Sequence, residues 1–254
     1  MKERSYRIIK TVPEAEGAYR IELSCSDSTF FDEAEPGRFL HIRVPDASLA
    51  LRRPISLCDV SNGVITLIVA VRGEGTKALC AAKPGTVLIA TGPAGSGFPM
   101  SRVAEARLLG GGIGVAPLVF AARALAESGA KVTAYLGFRS ADNAVCIKDF
   151  EKLGCGVRLF TDDGSAGAKG FAADALIADD GDSPVFACGP KPMFKALQNG
   201  LKPGTPCFAS MEERMGCGVG ACLVCACAIR EKDGIHNRRV CVDGPVFPLS
   251  EVVL

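Results

Sequence analysis

The chain has 254 residues with 29 basic against 28 acidic side chains and a formal net charge of +1, so no broad field draws it to nucleic acid or anionic lipid. Its 48% hydrophobic content fills real cores and excludes disorder, and the length allows two ordinary domains plus a small appendage. The opening Met-Lys-Glu-Arg-Ser-Tyr-Arg lacks the apolar stretch of a signal peptide, and no apolar run approaches a bilayer span, so we expect a cytoplasmic protein without a membrane segment.

Residues 1–98 read as strands and turns. Tyr19-Arg-Ile-Glu-Leu-Ser, Arg38-Phe-Leu-His-Ile-Arg-Val and Gly63-Val-Ile-Thr-Leu-Ile-Val-Ala-Val are β-rich or alternating, and Pro36-Gly37, Asn62-Gly63 and Pro84-Gly85 punctuate them. About six short strands without long helices predict a small antiparallel β-barrel. Within it Arg53-Pro54-Ile55-Ser56 pairs a guanidinium suited to phosphate with a hydroxyl donor, or is simply a basic turn. Val71-Arg72-Gly73-Glu74-Gly75-Thr76 is an amide-rich loop able to cradle a diphosphate, or a plain hairpin connection. His41 lies in a β segment and reads as structural or solvent-facing.

Near Met100 the pattern changes to alternating strands and helices, which predicts a parallel α/β domain over 99–205. Glu105-Ala-Arg-Leu-Leu-Gly runs into Gly110-Gly111-Gly112-Ile113-Gly114 and then a helix, the place where unpaired amides meet a phosphate. It is neither Gly-x-Gly-x-x-Gly nor a Walker loop, and a tight core-facing turn is the alternative. Cys188-Gly189-Pro190 follows the strand Pro184-Val-Phe-Ala, where open α/β sheets bind ligands, and forms a low rim for a flat ring or an ordinary strand-to-helix turn.

The last segment, 206–254, is too short to bury much core alone. It carries Cys217-Gly-Val-Gly-Ala-Cys222-Leu-Val-Cys225, followed by Cys241, the Cys-x4-Cys-x2-Cys…Cys spacing of a plant-type [2Fe-2S] cluster. Small residues around the thiols let amides approach the sulfurs. Twelve cysteines also permit a reading as buried thiols, and thiolates suit zinc as well. Zinc sites usually pair two Cys-x2-Cys knuckles, however, and here Cys225 and Cys227 are too close to form a second. Cys227 is therefore surplus. Val242-Asp-Gly-Pro-Val-Phe-Pro-Leu looks like an exposed apolar strand able to pack the cluster edge against a partner.

A barrel with Arg-Pro-x-Ser, then Gly-Gly-Gly-Ile-Gly, then Cys-Gly-Pro, then the thiolate array closely resembles the electron-transfer subunits of class B dihydroorotate dehydrogenases, built on the domain pair of the ferredoxin reductase superfamily. The resemblance covers essentially the whole chain. It implies an FAD-binding barrel (1–98), an NAD-binding α/β domain (99–205) and a [2Fe-2S] domain (206–254). Arg53, Pro54, Ile55 and Ser56 match the flavin motif, with Arg53 on the pyrophosphate, and Gly73, Gly75 and Thr76 match a second flavin loop. Gly111, Gly112 and Gly114 match the NAD pyrophosphate turn, and Cys188, Gly189 and Pro190 the nicotinamide side. Cys217, Cys222, Cys225 and Cys241 match the cluster ligands, and Glu212 an acidic position near the cluster. Many superfamily members carry tyrosine where Ile55 stands, so aromatic stacking is absent there. Asp162 and Asp163 fall where NADPH-using relatives place groups for the 2′-phosphate, which favours NADH here; Arg139 is a cation nearby. The implied partner is an FMN-containing dihydroorotate dehydrogenase catalytic subunit in a heterotetramer with two of each. The flavin and [2Fe-2S] subunit of an NADH-dependent ferredoxin:NADP oxidoreductase or of a sulfide dehydrogenase shares the layout.

Overall fold

The computed structural model describes residues 2–100, 103–179 and 181–254. Alternation along the first strand, β1 (Glu3–Ala15), buries Arg4, Tyr6 and Ile8 and leaves their neighbours in water. With β2 (Ala18–Cys25), β3 (Phe39–Ile42), β4 (Arg53–Ser56), β5 (Asp59–Ser61), β6 (Val64–Ala70) and β7 (Val87–Ala94) it forms an antiparallel sheet in the order β4-β3-β7-β1-β2-β6-β5. The two ends of that order are joined through residues 57 and 58. The Leu57 amide donates to Arg38 O and the Cys58 amide to Thr66 O, so the sheet curls into a barrel around Tyr6, Ile21, Leu40, Ile65 and Leu67.

The second sheet is built on β8 (Glu105–Gly111), β9 (Lys131–Phe138), β10 (Gly156–Thr161), β11 (Ala168–Lys169), β12 (Val185–Cys188) and β13 (Cys207–Ser210). A hairpin, β14 (Ala226–Glu231) and β15 (Gly234–Arg239), follows, and the chain closes with β16 (Val246–Pro248). The sheet order is β11-β10-β9-β8-β12-β13-β16, parallel except for β16. Strand order reverses between β8 and β12: β9 and β10 go to one side of β8, β12 and β13 to the other. At such a switch point the two crossovers diverge and leave a crevice at the carboxyl ends of the strands.

The terminal segment is not a free-standing layer, since it lends β13 and β16 to the second sheet. The stretch around Val246-Phe247 was expected to be exposed, but Val246, Phe247 and Leu249 are all buried. The ladder from β16 to β13 consumes its backbone groups, and Phe247 and Leu249 pack with Phe194, Leu197 and Ala209. It covers its own domain rather than a partner.

Ion pairs lock the barrel to the α/β unit. Arg123, in α3 of the fold (Pro117–Glu127; the earlier helices are α1, Thr29–Glu33, and α2, Glu74–Ala81), donates to both Asp59 oxygens at 2.8 and 2.6 Å. Arg20 of β2 joins Glu14 at 2.7 Å to Asp149 at 2.6 Å, and Asp149 lies in the next helix, α4 (Ile147–Lys152). Burial pushes the Glu14 carboxyl up, but Arg20 and the Cys146 amide outweigh it and hold it below its ordinary value. A depressed carboxyl contributes stability above its unfolded pKa and loses it as pH falls through the folded one. Arg20→Ala leaves two half-buried carboxylates unpaired. It should cost about 2 kcal/mol, or roughly 4–8 °C in melting temperature near neutral pH, with the deficit shrinking below about pH 4. Thermal unfolding across that range checks it.

Candidate flavin, nucleotide and iron-sulfur sites

The motif Arg53-Pro54-Ile55-Ser56 is strand β4, so the basic-turn reading is corrected: it pairs with β3 as Ser56 to Phe39, Ile55 to Leu40, Pro54 to His41 and Arg53 to Ile42. The loop Val71–Thr76 is likewise no hairpin connection, because it opens helix α2 at Glu74. These two motifs, twenty residues apart, meet. A Cβ on Gly75 would stand 2.6 Å from the Arg53 guanidinium carbon, so only glycine lets that guanidinium lie over the first turn of α2. A cation beside free helix amides is a diphosphate cradle. The Thr76 hydroxyl is already occupied: it accepts from the amides of Arg72 at 2.8 Å and Gly73 at 3.3 Å and donates to Gly73 O. It shapes the loop by holding those two amides, so an anion here would meet the later amides of the first turn of α2. Arg52, which sequence reading passed over, holds the strand from behind by donating to Thr91 Oγ1 at 2.9 Å and pairing with Glu3.

The glycine run ends β8 and turns through a short 3-10 segment, Gly112–Val115, into α3. Cys188-Gly189-Pro190 ends β12, next to it across the switch point. The two turns touch backbone to backbone. A Cβ on Gly114 would lie 2.5 Å from Cys188 O and 2.8 Å from Gly189 N, and one on Gly111 would lie 2.8 Å from Pro190 Cδ. Between them and the barrel opens a cleft of ≈ 880 Å³ lined by Gly111, Gly112, Gly114, Gly189, Pro190 and Asp162. Arg72, Arg139, Phe171 and Glu212 also face it. Phe171 is 64% exposed there, and isolated between turn residues it gave no sequence signal.

Of the two aspartates after β10, Asp162 faces the cleft, while Asp163 accepts from the Ser165 amide at 2.9 Å and hydroxyl at 2.6 Å. Cys188 is buried, and burial, with the Glu212 charge adding to it, pushes its thiol far up despite a bond to Ser210. It stays protonated and supplies shape rather than a nucleophile. Glu212 stands in the solvent of the cleft yet is crowded by protein, which raises its carboxyl against the pull of Arg72.

At the thiolate array the loop turns back on itself through left-handed residues, Gly218 at φ +69° and Gly220 at φ +80°, which aims its amides inward at sulfur. Val219 and Cys222 amides each donate to Cys217 Sγ at 3.4 Å, and the Cys217 amide to Cys222 Sγ at 3.4 Å. Those amides pull the Cys217 thiol down to about 6, toward the thiolate a metal needs. Cys225 and Cys241 contact one another in the buried half of the site, and burial raises Cys241 to about 12. The sulfurs thus fall into two pairs, Cys217 with Cys222 and Cys225 with Cys241. No three of them lie mutually within 4.8 Å. Four thiols in two pairs, with Cys217 already drawn toward thiolate, fit the donor set of two bridged irons. Cys227 points into the core formed with Ile229 and Phe247.

His41 is neither solvent-facing nor remote. It is 1% exposed, and a Cβ on Gly218 would stand 2.7 Å from its Cε1. The signal was its place in β3, where Phe39 and His41 alternate with the barrel-core residues Leu40 and Ile42.

A family model described as the iron-sulfur cluster binding domain of dihydroorotate dehydrogenase B matches residues 212–253. Over 260 residues the chain is 42% identical to the "Dihydroorotate dehydrogenase B (NAD(+)), electron transfer subunit" of Shouchella clausii (strain KSM-K16), covering 100% of this chain and 99% of that one. The chain belongs to this family of electron transfer subunits. Another member, from Geobacillus thermodenitrificans (strain NG80-2), is 42% identical over 92% of each chain. Among solved structures, a chain of an NADH-dependent reduced ferredoxin-NADP oxidoreductase superposes with a TM-score of 0.85 at 30% identity, over 97% of this chain and 89% of that one. The Amycolatopsis cytochrome P450 reductase GcoB shares the fold, with a TM-score of 0.69 at 23% identity over 80% of this chain and 68% of that one.

For this family member the contact between the two turns is testable by unfolding alone. Gly114→Ala drives a methyl into backbone that has no freedom to yield and should cost about 3 kcal/mol. Gly112→Ala meets nothing within 4 Å and carries only the strain of φ +56°, about 1 kcal/mol. Equal losses in urea denaturation would contradict this packing.

Proposed function

We propose that the chain is the electron-transfer subunit of an NAD-dependent dihydroorotate dehydrogenase, working in the cytoplasm beside an FMN-containing catalytic subunit with two of each in the complex. The observation that carries it is the conjunction of a diphosphate cradle, a nucleotide cleft and two thiol pairs in one chain of this family. Three functional units are proposed: 1–98 for FAD, 99–205 for NAD and 206–254 for the cluster. No helix among the described residues is long and apolar enough to cross a membrane.

In this reading Arg53 and the first-turn amides of α2 at Gly75 hold the FAD diphosphate, on a loop that Gly73 and Thr76 shape. Pro54, Ile55 and Ser56 line the isoalloxazine, with the edge of β4 giving backbone donors and acceptors. Gly111, Gly112 and Gly114 admit the NAD pyrophosphate to the first turn beyond β8. Gly189 and Pro190 keep the nicotinamide wall low, and protonated Cys188 fills the space beneath it. Asp162 accepts from the adenosine ribose diol and repels a 2′-phosphate. Cys217, Cys222, Cys225 and Cys241 hold the two irons, and the amides of Val219 and Cys222 neutralise thiolate charge. Bound in these places, FAD exchanges hydride with nicotinamide and single electrons with the cluster.

Cys222, the exposed ligand, is ringed by exposed Val219, Leu223 and Val224, an apolar rim suited to a partner. This patch replaces Val242–Leu249 as the proposed docking face.

The test is co-purification of the native complex, flavin identification and dihydroorotate-dependent NAD+ reduction. FMN on the second subunit, FAD on this one and NADH production are expected. A partner carrying further clusters and no dihydroorotate activity would shift the reading to an NADH-dependent ferredoxin-NADP oxidoreductase or a sulfide dehydrogenase. In addition, Asp162→Asn should shift the ratio of kcat/KM for NADPH over NADH upward by about 10-fold. An unchanged ratio would remove Asp162 from the 2′ position.

A further inference from the structure

The outer face of the barrel meets the cluster loop at a polar residue that the sites above do not use. In β3, Leu40 and Ile42 fill the barrel, whereas Phe39 and His41 project to the opposite face, beneath the terminal segment. His41 Nε2 is buried with no hydrogen-bond partner. Such a nitrogen carries a desolvation cost that an apolar side chain of similar size would not, so it calls for a physical reason beyond filling space. Its surroundings supply one. On one side the ring lies against Gly218, the residue after ligand Cys217, at a separation that leaves no room for a methyl. On the other, His41 is paired across the ladder with Pro54, inside the flavin motif, and its carbonyl accepts from Arg52 at 3.4 Å. Burial, with Arg52 and Arg53 nearby, keeps the ring uncharged, so it adds no cation beside the loop.

We propose that His41 is the positioning residue for electron exchange between cluster and flavin: its imidazole fills the gap between the Cys217-Gly218 loop and strand β4 and fixes the separation that single electrons cross. The inference rests on the function proposed above. His41 is neither oxidised nor reduced and no bond forms or breaks at it. For each electron that reduced flavin gives up, one ferric iron becomes ferrous.

The test uses the full chain loaded with FAD and cluster, mixed with NADH in an anaerobic stopped-flow instrument that resolves flavin bleaching from cluster bleaching. In His41→Leu, flavin bleaching should stay within about twofold of wild type, while the cluster phase slows by about 10-fold or more, the scale on which removal of outer-sphere partners acts at metal sites. His41→Gln, polar and of similar reach, should recover part of that loss, and it carries the comparison should His41→Leu fail to retain iron. Gly218→Ala should slow the same phase, and less so in a His41→Ala background, where its methyl finds room. A wild-type cluster rate in an iron-replete His41→Leu variant, equal slowing of both phases, or strictly additive effects of the two alanines would overturn the proposal. A wild-type chain whose cluster never bleaches with NADH would instead remove the functional reading, and this inference with it.

Discussion

The arrangement depends on how the terminal segment is clamped between the two sheets. Strand β16 extends the nucleotide sheet through β13, and just before it the chain bridges to the barrel, where the Ser96 amide donates to Gly244 O at 2.6 Å. Arg239, bound bidentately to Asp243 at 2.8 and 3.0 Å, also reaches Gly220 O and so ties the cluster loop to the same anchor. A 49-residue segment could not hold such a loop by its own core. It borrows both sheets, and the cluster loop is thereby set against the outer face of β3, with Gly218 beside His41.

A second constraint acts at the switch point. The turns after β8 and β12 are in backbone contact, which demands glycine at 114 and keeps both turns thin. Thin turns leave room for a flat ring and a diphosphate, and the Cys188 side chain at that rim is held protonated by burial. Positioning and electrostatics therefore carry the chemistry in this chain. His236, half-buried and bonded to Asp233, stands apart from it.

Much of this was legible in the sequence because the signals are local. Alternation along β1, β2 and β6 marks strands, the glycine run marks a strand-to-helix turn, and the cysteine spacing marks a wrapped cluster. What escaped is long-range. Nothing local joins Arg53 to Gly75, or the Gly110–Gly114 turn to Cys188, since barrel closure and the switch point make those contacts. The apolar run around Phe247 looked available for a partner because composition does not reveal that β13 needs an edge strand. His41 looked ordinary because its neighbour Gly218 lies far along the chain. The grouping of the four thiols into two pairs belongs to the folded loop alone.

The most direct test of the account is an anaerobic equilibrium titration of the purified chain with NADH, followed by low-temperature electron paramagnetic resonance. A signal from a reduced [2Fe-2S] cluster growing as the flavin bleaches is the predicted result. Flavin that bleaches fully while the iron stays diamagnetic, or iron in the mononuclear form of a single tetrahedral site, would contradict it.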